Sequence, residues 1–171
     1  MPALLSTLAR SAAIGIGATA IMDLGGEVVR RLTGVQPLDY RLLGRWIGHM
    51  PQGTVRHDNI RAAEPVPHER ELGWAAHYTI GTAFAGLLVA TRPSWSHRPT
   101  LLPALLTGIT TTAAPWFIMQ PAFGLGVAAA KTPQPTVARW RSLRTHAVYG
   151  LGLYLAGSAV AQVAPKRSAR N

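Results

Sequence analysis

Four polar side chains stand inside otherwise apolar parts of this sequence and could do chemistry there: Asp23, His77, Gln120 and His146. A carboxylate with two imidazoles suits a borderline divalent metal ion, and the same groups can relay protons. Because ionisable groups are costly to place in an apolar environment, each is a candidate for function. The alternative is that they only hydrogen-bond across helices and hold them together.

Long apolar runs carry these four residues, at about residues 11–29, 72–91, 101–130 and 143–164. Each is close to the roughly 20 residues that a helix needs to cross a bilayer. Only 14% of the chain is charged, against about 25% in soluble proteins. We therefore expect an all-α membrane protein in which residues 1–171 form one integral membrane domain, a four-transmembrane-helix bundle. Pro115 and Pro121 should interrupt the third span.

The order of the spans predicts where the polar residues meet. Asp23 lies near the end of the first span, His77 near the start of the second and His146 near the start of the fourth, so all belong to one side of the membrane. Gly81 and Gly150 each follow a histidine by four residues and share its helical face, where small residues favour helix contact. Asp23 is thus expected to meet both histidines within the bundle, where the group could change protonation near neutral pH.

A short internal similarity points to the same residues. Ile21-Met22-Asp23 in the first span is matched by Ile118-Met119-Gln120 in the third, and the second and fourth spans share the pattern His-x-x-x-Gly. Two such hairpins could form a parallel repeat, as in some transporters. Chance similarity among glycine-rich spans explains the match equally simply.

Residues 31–70 separate the first two spans and contain a predicted amphipathic helix, capped by Asp39 and stopped by Pro51. Arg41, Arg45 and His49 recur every four residues on its polar face, where they could contact an anion or a lipid headgroup. The helix could lie in the membrane interface or pack over the mouth of the bundle. Its apolar stripe contains Leu42, Leu43, Trp46, Ile47 and Met50.

Three glutamates near the span ends have simple explanations. Glu27 can pair with Arg31 on the helix surface, four residues on. Glu69 and Glu71 fall in the first turn of the second span, where the helix dipole favours negative charge.

Several classes of function are excluded by what the sequence lacks. The absence of cysteine rules out disulfides, thiolate metal sites and c-type haem attachment. No G-x-S-x-G elbow, H-E-x-x-H helix or P-loop is present, so soluble-type catalysis is unsupported. The net charge of +10 lies mostly beside the apolar runs and does not indicate nucleic-acid binding.

Three readings remain. The polar cluster could bind an ion or small ligand or relay protons, with a divalent metal as cofactor; Met22 or Met119 would favour copper but are explained by packing. The two inward histidines could instead ligate a haem or border a quinone. In the third reading, the cluster is structural and the chain is an assembly subunit in the lipid bilayer.

Several segments agree in order and spacing with a known family: "LDYRLLGRWIGHMPQG", "RHDNI", "ELGWAAHYTIG", "RPTLLPALLTGITTTAAPWFIMQPAFGLGVAAAKTPQP" and "RSLRTHAVYGLGLYLA". The chain resembles the small bacterial membrane proteins known as domain of unknown function twenty-nine thirty-eight. The resemblance implies a four-span, multi-pass protein of the bacterial inner membrane, and it brings no activity, cofactor or catalytic residue. By the positive-inside rule, the basic residues favour a cytoplasmic location for residues 31–70.

Overall fold

The computed structural model describes residues 2–163, and every regular element within that range is helical. Short 3-10 turns and one π-helical turn connect the α-helices or extend them. The α-helices are α1 (Pro2–Thr33), α2 (Tyr40–His49), α3 (Glu69–Thr91), α4 (Leu101–Thr110), α5 (Gln120–Ala122) and α6 (Pro135–Val163).

Three helical segments in the described part of the chain are long and apolar enough to cross a membrane: Leu4–Thr33, Glu69–Thr91 and Leu101–Ala122. The expected fourth segment lies in α6, which is long enough but less apolar than the others. The first half of α6 carries Arg139, Arg141 and Arg144, and glycines and tyrosines dilute its second half. The all-helical class is confirmed, with three spanning helices on these criteria rather than four.

The third span ends earlier than the sequence predicted, at Ala122 instead of residue 130. Pro115 opens a π-helical turn, Pro115–Met119, as expected of a residue that cannot donate a backbone hydrogen bond. The chain then leaves the helix at Gly124, whose φ of +85° favours glycine. A Cβ at Gly124 would also collide with the carbonyl of Asp58, so the turn packs directly on the loop before α3.

The bundle is built around α1 and α6, which lie side by side. Helix α3 packs on α1, α4 packs on α6, and α3 and α4 hardly touch. The backbones come close at Gly152, which faces Ala18, and at Gly108, which faces Gly150. Small residues thus set the helix spacing, as is common in membranes. The buried core of the bundle comprises Ile14, Ala18, Ala85, Leu88, Val89, Trp95, Ala104, Tyr149 and Leu153.

Helix α2 has the predicted position and cap. The Asp39 side chain accepts a hydrogen bond from the Arg41 N–H, at 3.0 Å, and the helix ends at His49, before Pro51. Helix α2 packs so closely across the start of α3 that a Cβ at Gly44 would collide with the Glu69 carbonyl. Helix α2 is thus packed against the bundle, and its place in the membrane interface stays a prediction.

The loop between α2 and α3 joins α2 to the end of the third span. The His57 N–H donates to the Ala122 carbonyl at 2.8 Å, and the Ile60 N–H donates to the Phe123 carbonyl at 3.2 Å. A second apolar cluster fills this junction: Leu42, Ile60, Ala122 and Phe123, with Trp46, Ala63, Met119 and Leu125 packed against it.

Candidate functional site

Asp23 on α1 and His77 on α3 are in direct contact, as predicted. Asp23 Oδ1 lies 3.0 Å from His77 Nε2, and only 19% of the aspartate and 12% of the histidine side chain is exposed. The two helices approach closely one turn away, where Gly81 packs against Thr19. The first two spans therefore form a carboxylate–imidazole pair inside the bundle.

Tyr40, the first residue of α2, contacts both members of this pair. Its hydroxyl donates to Asp23 Oδ1 at 2.9 Å, and its ring stacks on His77 with centroids 4.1 Å apart. Burial, together with the Asp23 carboxylate, raises the pKa of the Tyr40 phenol, so the hydroxyl remains a donor. Sequence reasoning missed Tyr40, although it lies one turn before Gly44, the point at which α2 touches α3.

The second oxygen of the carboxyl group is not satisfied. Asp23 Oδ2 is buried and has no hydrogen-bond partner in the structure. Tyr78, which follows His77, lies close enough to interact with the same carboxyl group without forming a hydrogen bond of good geometry. Because buried carboxyl oxygens are normally paired, Asp23 Oδ2 marks a place for a proton or a donor.

His146 on α6 has a partner of its own on α4. The Thr111 hydroxyl donates to the Gly108 carbonyl at 2.6 Å, so His146 Nδ1, at 2.8 Å, must be the donor to Thr111 Oγ1. This leaves His146 Nε2 as an acceptor. Each histidine is thus hydrogen-bonded to a side chain of the preceding span, His77 to Asp23 and His146 to Thr111.

A small cavity joins the two histidines. It has a volume of about 50 Å³, enough for one water molecule by size, and its surface is mostly apolar. In its wall, the Tyr149 hydroxyl donates to the Gly81 carbonyl at 2.5 Å. The expected meeting of Asp23 with His146 is therefore indirect, through His77 and this cavity. Its wall includes Met22, His77, Phe84, Thr111, His146 and Tyr149.

The sequence comparisons place the chain in a family. The model of the family described as "Protein of unknown function (DUF2938)" matches residues 12–160. The chain belongs to this family. The matched range includes α2, the Asp23–His77 pair and His146. No curated protein and no solved structure matches the chain.

This family has no assigned activity, so only the geometry of the site bears on the expected ligands. Pockets for ligands of cofactor size have volumes of about 300–1,000 Å³, so the cavity of about 50 Å³ between His77 and His146 is too small for a haem or a quinone. In the described range, no three histidine or acidic side chains are placed to hold a metal ion. Met119 packs in the second apolar cluster, away from the cavity wall that contains Met22.

Gln120 does not take the place that the internal similarity assigned to it. The residue bonded to His146 is Thr111, and Gln120 is absent from the cavity wall. The π-helical turn that precedes Gln120 changes the direction of the side chains after it. Gln120 Oε1 is buried without a hydrogen-bond partner.

Arg45 does not lie on the exposed face where the sequence pattern placed it. Its guanidinium forms a two-pronged salt bridge with Glu69, 2.8 Å from Nε to Oε2, and its Nη1 donates to the carbonyls of Ile60, Arg61 and Ala63. The bonds to Glu69 raise the pKa of Arg45. This corrects the prediction of an anion or headgroup contact for Arg45, and it gives Glu69 a partner beyond the helix dipole.

The other two polar-face residues of α2 differ from Arg45. Arg41 is exposed, as predicted. His49 Nδ1 lies 2.8 Å from His57 Nε2, so this imidazole pairs with the loop before α3. Of the three residues, Arg41 is exposed, and contact with a lipid headgroup stays a prediction for it alone.

Glu27 forms the expected surface pair and one more. Its carboxylate is 2.7 Å from Arg31 Nε and 2.6 Å from Arg30 Nε. Because exposed pairs contribute little, we expect Glu27→Gln to shift the Tm of the purified protein by no more than about 2 °C. A thermal unfolding curve in mild detergent measures this shift, and loss of folded protein would contradict the surface assignment.

Proposed function

We propose that the chain is a four-span, multi-pass protein of the bacterial inner membrane. Three spans meet the criteria of length and apolarity. The fourth is supported by α6, which has no charged residue between Arg144 and its end at Val163 and runs beside α1 and α4. If α4 and α6 form a hairpin, every helix of the bundle has a neighbouring helix in the bilayer.

Reporter fusions test this topology. With four spans, residues 131–134 and a reporter inserted directly after Val163 lie on opposite faces of the membrane, because α6 crosses between them. Fusions at these two positions should give opposite signals from a reporter that is active on one face only. The same signal at both positions would contradict the four-span arrangement.

We further infer that the Asp23–His77 pair binds a proton within the membrane and exchanges it with His146 through the cavity. The single observation that carries this proposal is a buried carboxyl group, with one free oxygen, bonded to an imidazole that shares a water-sized cavity with a second imidazole. Intramembrane carboxylate–histidine chains are typical proton relays. Imidazole is also the side chain whose unperturbed protonation changes near neutral pH.

The geometry allows each step of such an exchange. His77 Nε2 and Asp23 Oδ1 are 3.0 Å apart, so a proton can pass directly between them along the hydrogen bond. Tyr40 holds the carboxyl group in place by donating to the same oxygen. For the second step, His77 would release a proton from Nδ1 to a water molecule in the cavity, and that water would give a proton to His146 Nε2, the acceptor nitrogen. Because Thr111 fixes the His146 ring from the other side, the imidazole keeps its orientation.

Infrared difference spectroscopy of the purified chain in mild detergent tests this function. Spectra recorded after a pH step show protonation of a carboxyl group as a C=O band and protonation of an imidazole as a change in its ring bands. We expect Asp23→Asn to remove the carboxyl band, because asparagine accepts the Tyr40 hydrogen bond but binds no proton. Glu27→Gln is the matched control, a second carboxylate of the same helix, and should leave the spectrum unchanged.

The same experiment separates the proposal from a purely structural role. If the cluster only holds helices together, the unaltered chain, Asp23→Asn and Glu27→Gln will all give the same difference spectrum. The structural reading has support of its own, since His77 and His146 both hydrogen-bond across helices. A carboxyl band that Asp23→Asn does not remove would also overturn the relay.

A further inference from the structure

A second and larger cavity lies at the other end of the bundle from Asp23. It is formed by the link between α3 and α4 and has a volume of about 430 Å³, within the range of typical ligand pockets. Thr91 follows His77 by 14 residues on α3, about 21 Å along the helix, so the cavity is far from the polar cluster. It lies where two apolar spans end, at the level expected for lipid headgroups. Its wall includes Thr91, Arg92, Ser94, Trp95, Arg98 and Thr100.

The charge of this cavity is positive and uncompensated. Arg92 and Arg98 are both exposed and line it. The sequence has no acidic residue after Glu71, so the link contains no carboxylate to pair with them. Arg10 of α1 extends the positive surface, because its Nη1 is 3.3 Å from Nδ1 of His97 in the same link.

The helix that starts at the cavity adds a partial positive charge. Thr100 precedes α4 with an extended backbone, and its side chain does not cap the helix. The first backbone N–H groups of α4 therefore lack a partner within the helix. Thr100 and Pro103 line the cavity, so this end of α4, with its partial positive charge, borders the same space.

The cavity is held in shape by the bundle. Trp95 is buried, and its Nε1 donates to the Thr100 carbonyl at 3.0 Å, which closes the link on itself. The Trp95 ring also packs on Gly157 of α6, where a Cβ would lie 2.8 Å from the ring. These contacts fix the backbone of the link that carries Arg92 and Arg98.

From these observations we propose that the link between α3 and α4 binds a phosphate group, with the headgroup of an anionic phospholipid as its source. The Arg92 and Arg98 guanidinium groups would bind the phosphate oxygens, since their geometry suits bidentate contact. The hydroxyls of Ser94 and Thr100 would supply further donors. This site does not depend on the proton relay, which uses the other end of the bundle.

Native mass spectrometry of the purified full chain, released from an uncharged detergent, tests the proposal. The probes are phosphatidylglycerol, phosphatidylcholine and inorganic phosphate, each titrated alone. We expect tight binding of one phosphatidylglycerol, with its Kd raised at least about tenfold in the variant Arg92→Gln with Arg98→Gln. Arg56→Gln with Arg61→Gln is the matched control, two exposed arginines of the loop before α3, and should change the Kd less than twofold.

Each outcome of these titrations either supports or overturns the proposal. Loss of phosphatidylglycerol binding in the link variant alone supports the headgroup. Binding of inorganic phosphate that the link variant abolishes, without phosphatidylglycerol binding, assigns the site to a free phosphate and overturns the lipid source. Equal binding by the link and control variants, or equal affinity for phosphatidylcholine, overturns the site. Arg98→Gln alone should give part of the loss, so the test does not require the double variant to fold.

Discussion

Replacing Arg45 by methionine is expected to lower the free energy of unfolding by about 3 kcal/mol, the low end of the range for breaking a buried ion pair. In this variant the Glu69 carboxylate loses its partner but stays largely buried, since only 14% of that side chain is exposed. It also removes the donor to three backbone carbonyls between α2 and α3. An unpaired group that stays buried costs more than the lost bond itself was worth.

Unfolding of the purified chain in rising sodium dodecyl sulfate, followed by tryptophan fluorescence, measures this loss. Arg41→Met is the matched control, since Arg41 is exposed on the same helix four residues earlier. We expect Arg45→Lys to recover only part of the stability, because lysine lacks the two-pronged geometry. Equal losses for Arg45→Met and Arg41→Met would contradict the buried pair.

Gly108→Ala is expected to cost about 1–3 kcal/mol, by overpacking the contact between α4 and α6. A Cβ at this position would lie 2.5 Å from the Cα of Gly150 and from the carbonyl oxygen of His146. Because these atoms are backbone, they cannot rotate away, and the helices must separate. Separation would also stretch the bond between Thr111 and His146 that orients the second imidazole.

Gly86→Ala is the matched control for this change. Gly86 lies within α3, and a Cβ there would be 4.0 Å from its nearest neighbour, the Cβ of Ser11. Alanine is the better helix former, so this variant should be neutral or more stable by up to about 1 kcal/mol. The same unfolding assay compares the two variants. A stable Gly108→Ala protein would show that the helices do not meet at that glycine.

The parts of the fold that the sequence predicted correctly depend on local pattern. Apolar runs of nearly bilayer length located α1, α3 and most of the third span, and Asp39 with Pro51 located α2. The contact between Asp23 and His77 followed from the order of the spans together with a glycine one turn from the histidine. Each of these features needs only nearby residues or the alternation of direction between successive spans.

Two of the three errors depend on contacts between distant segments, and the third depends on a local change of helix type. Arg45 follows the four-residue spacing of a polar face, but the loop after α2 folds over it and supplies carbonyls, which no local pattern records. Tyr40 reaches Asp23 only because α2 docks on α3 at a glycine. Gln120 follows Pro115, and the π-helical turn between them changes the phase on which the internal similarity relied.

The pairing of α6 with both α1 and α4 has a consequence for biosynthesis. Helices leave the ribosome in chain order, so α1 and α3 can pair as soon as both are inserted. Helix α4 then enters the membrane with the glycine surface around Gly108 uncovered, since it hardly touches α3. Only when α6 emerges do α1 and α4 gain their shared neighbour. A chain released early, after Lys131, would therefore leave α1 and α4 without that neighbour.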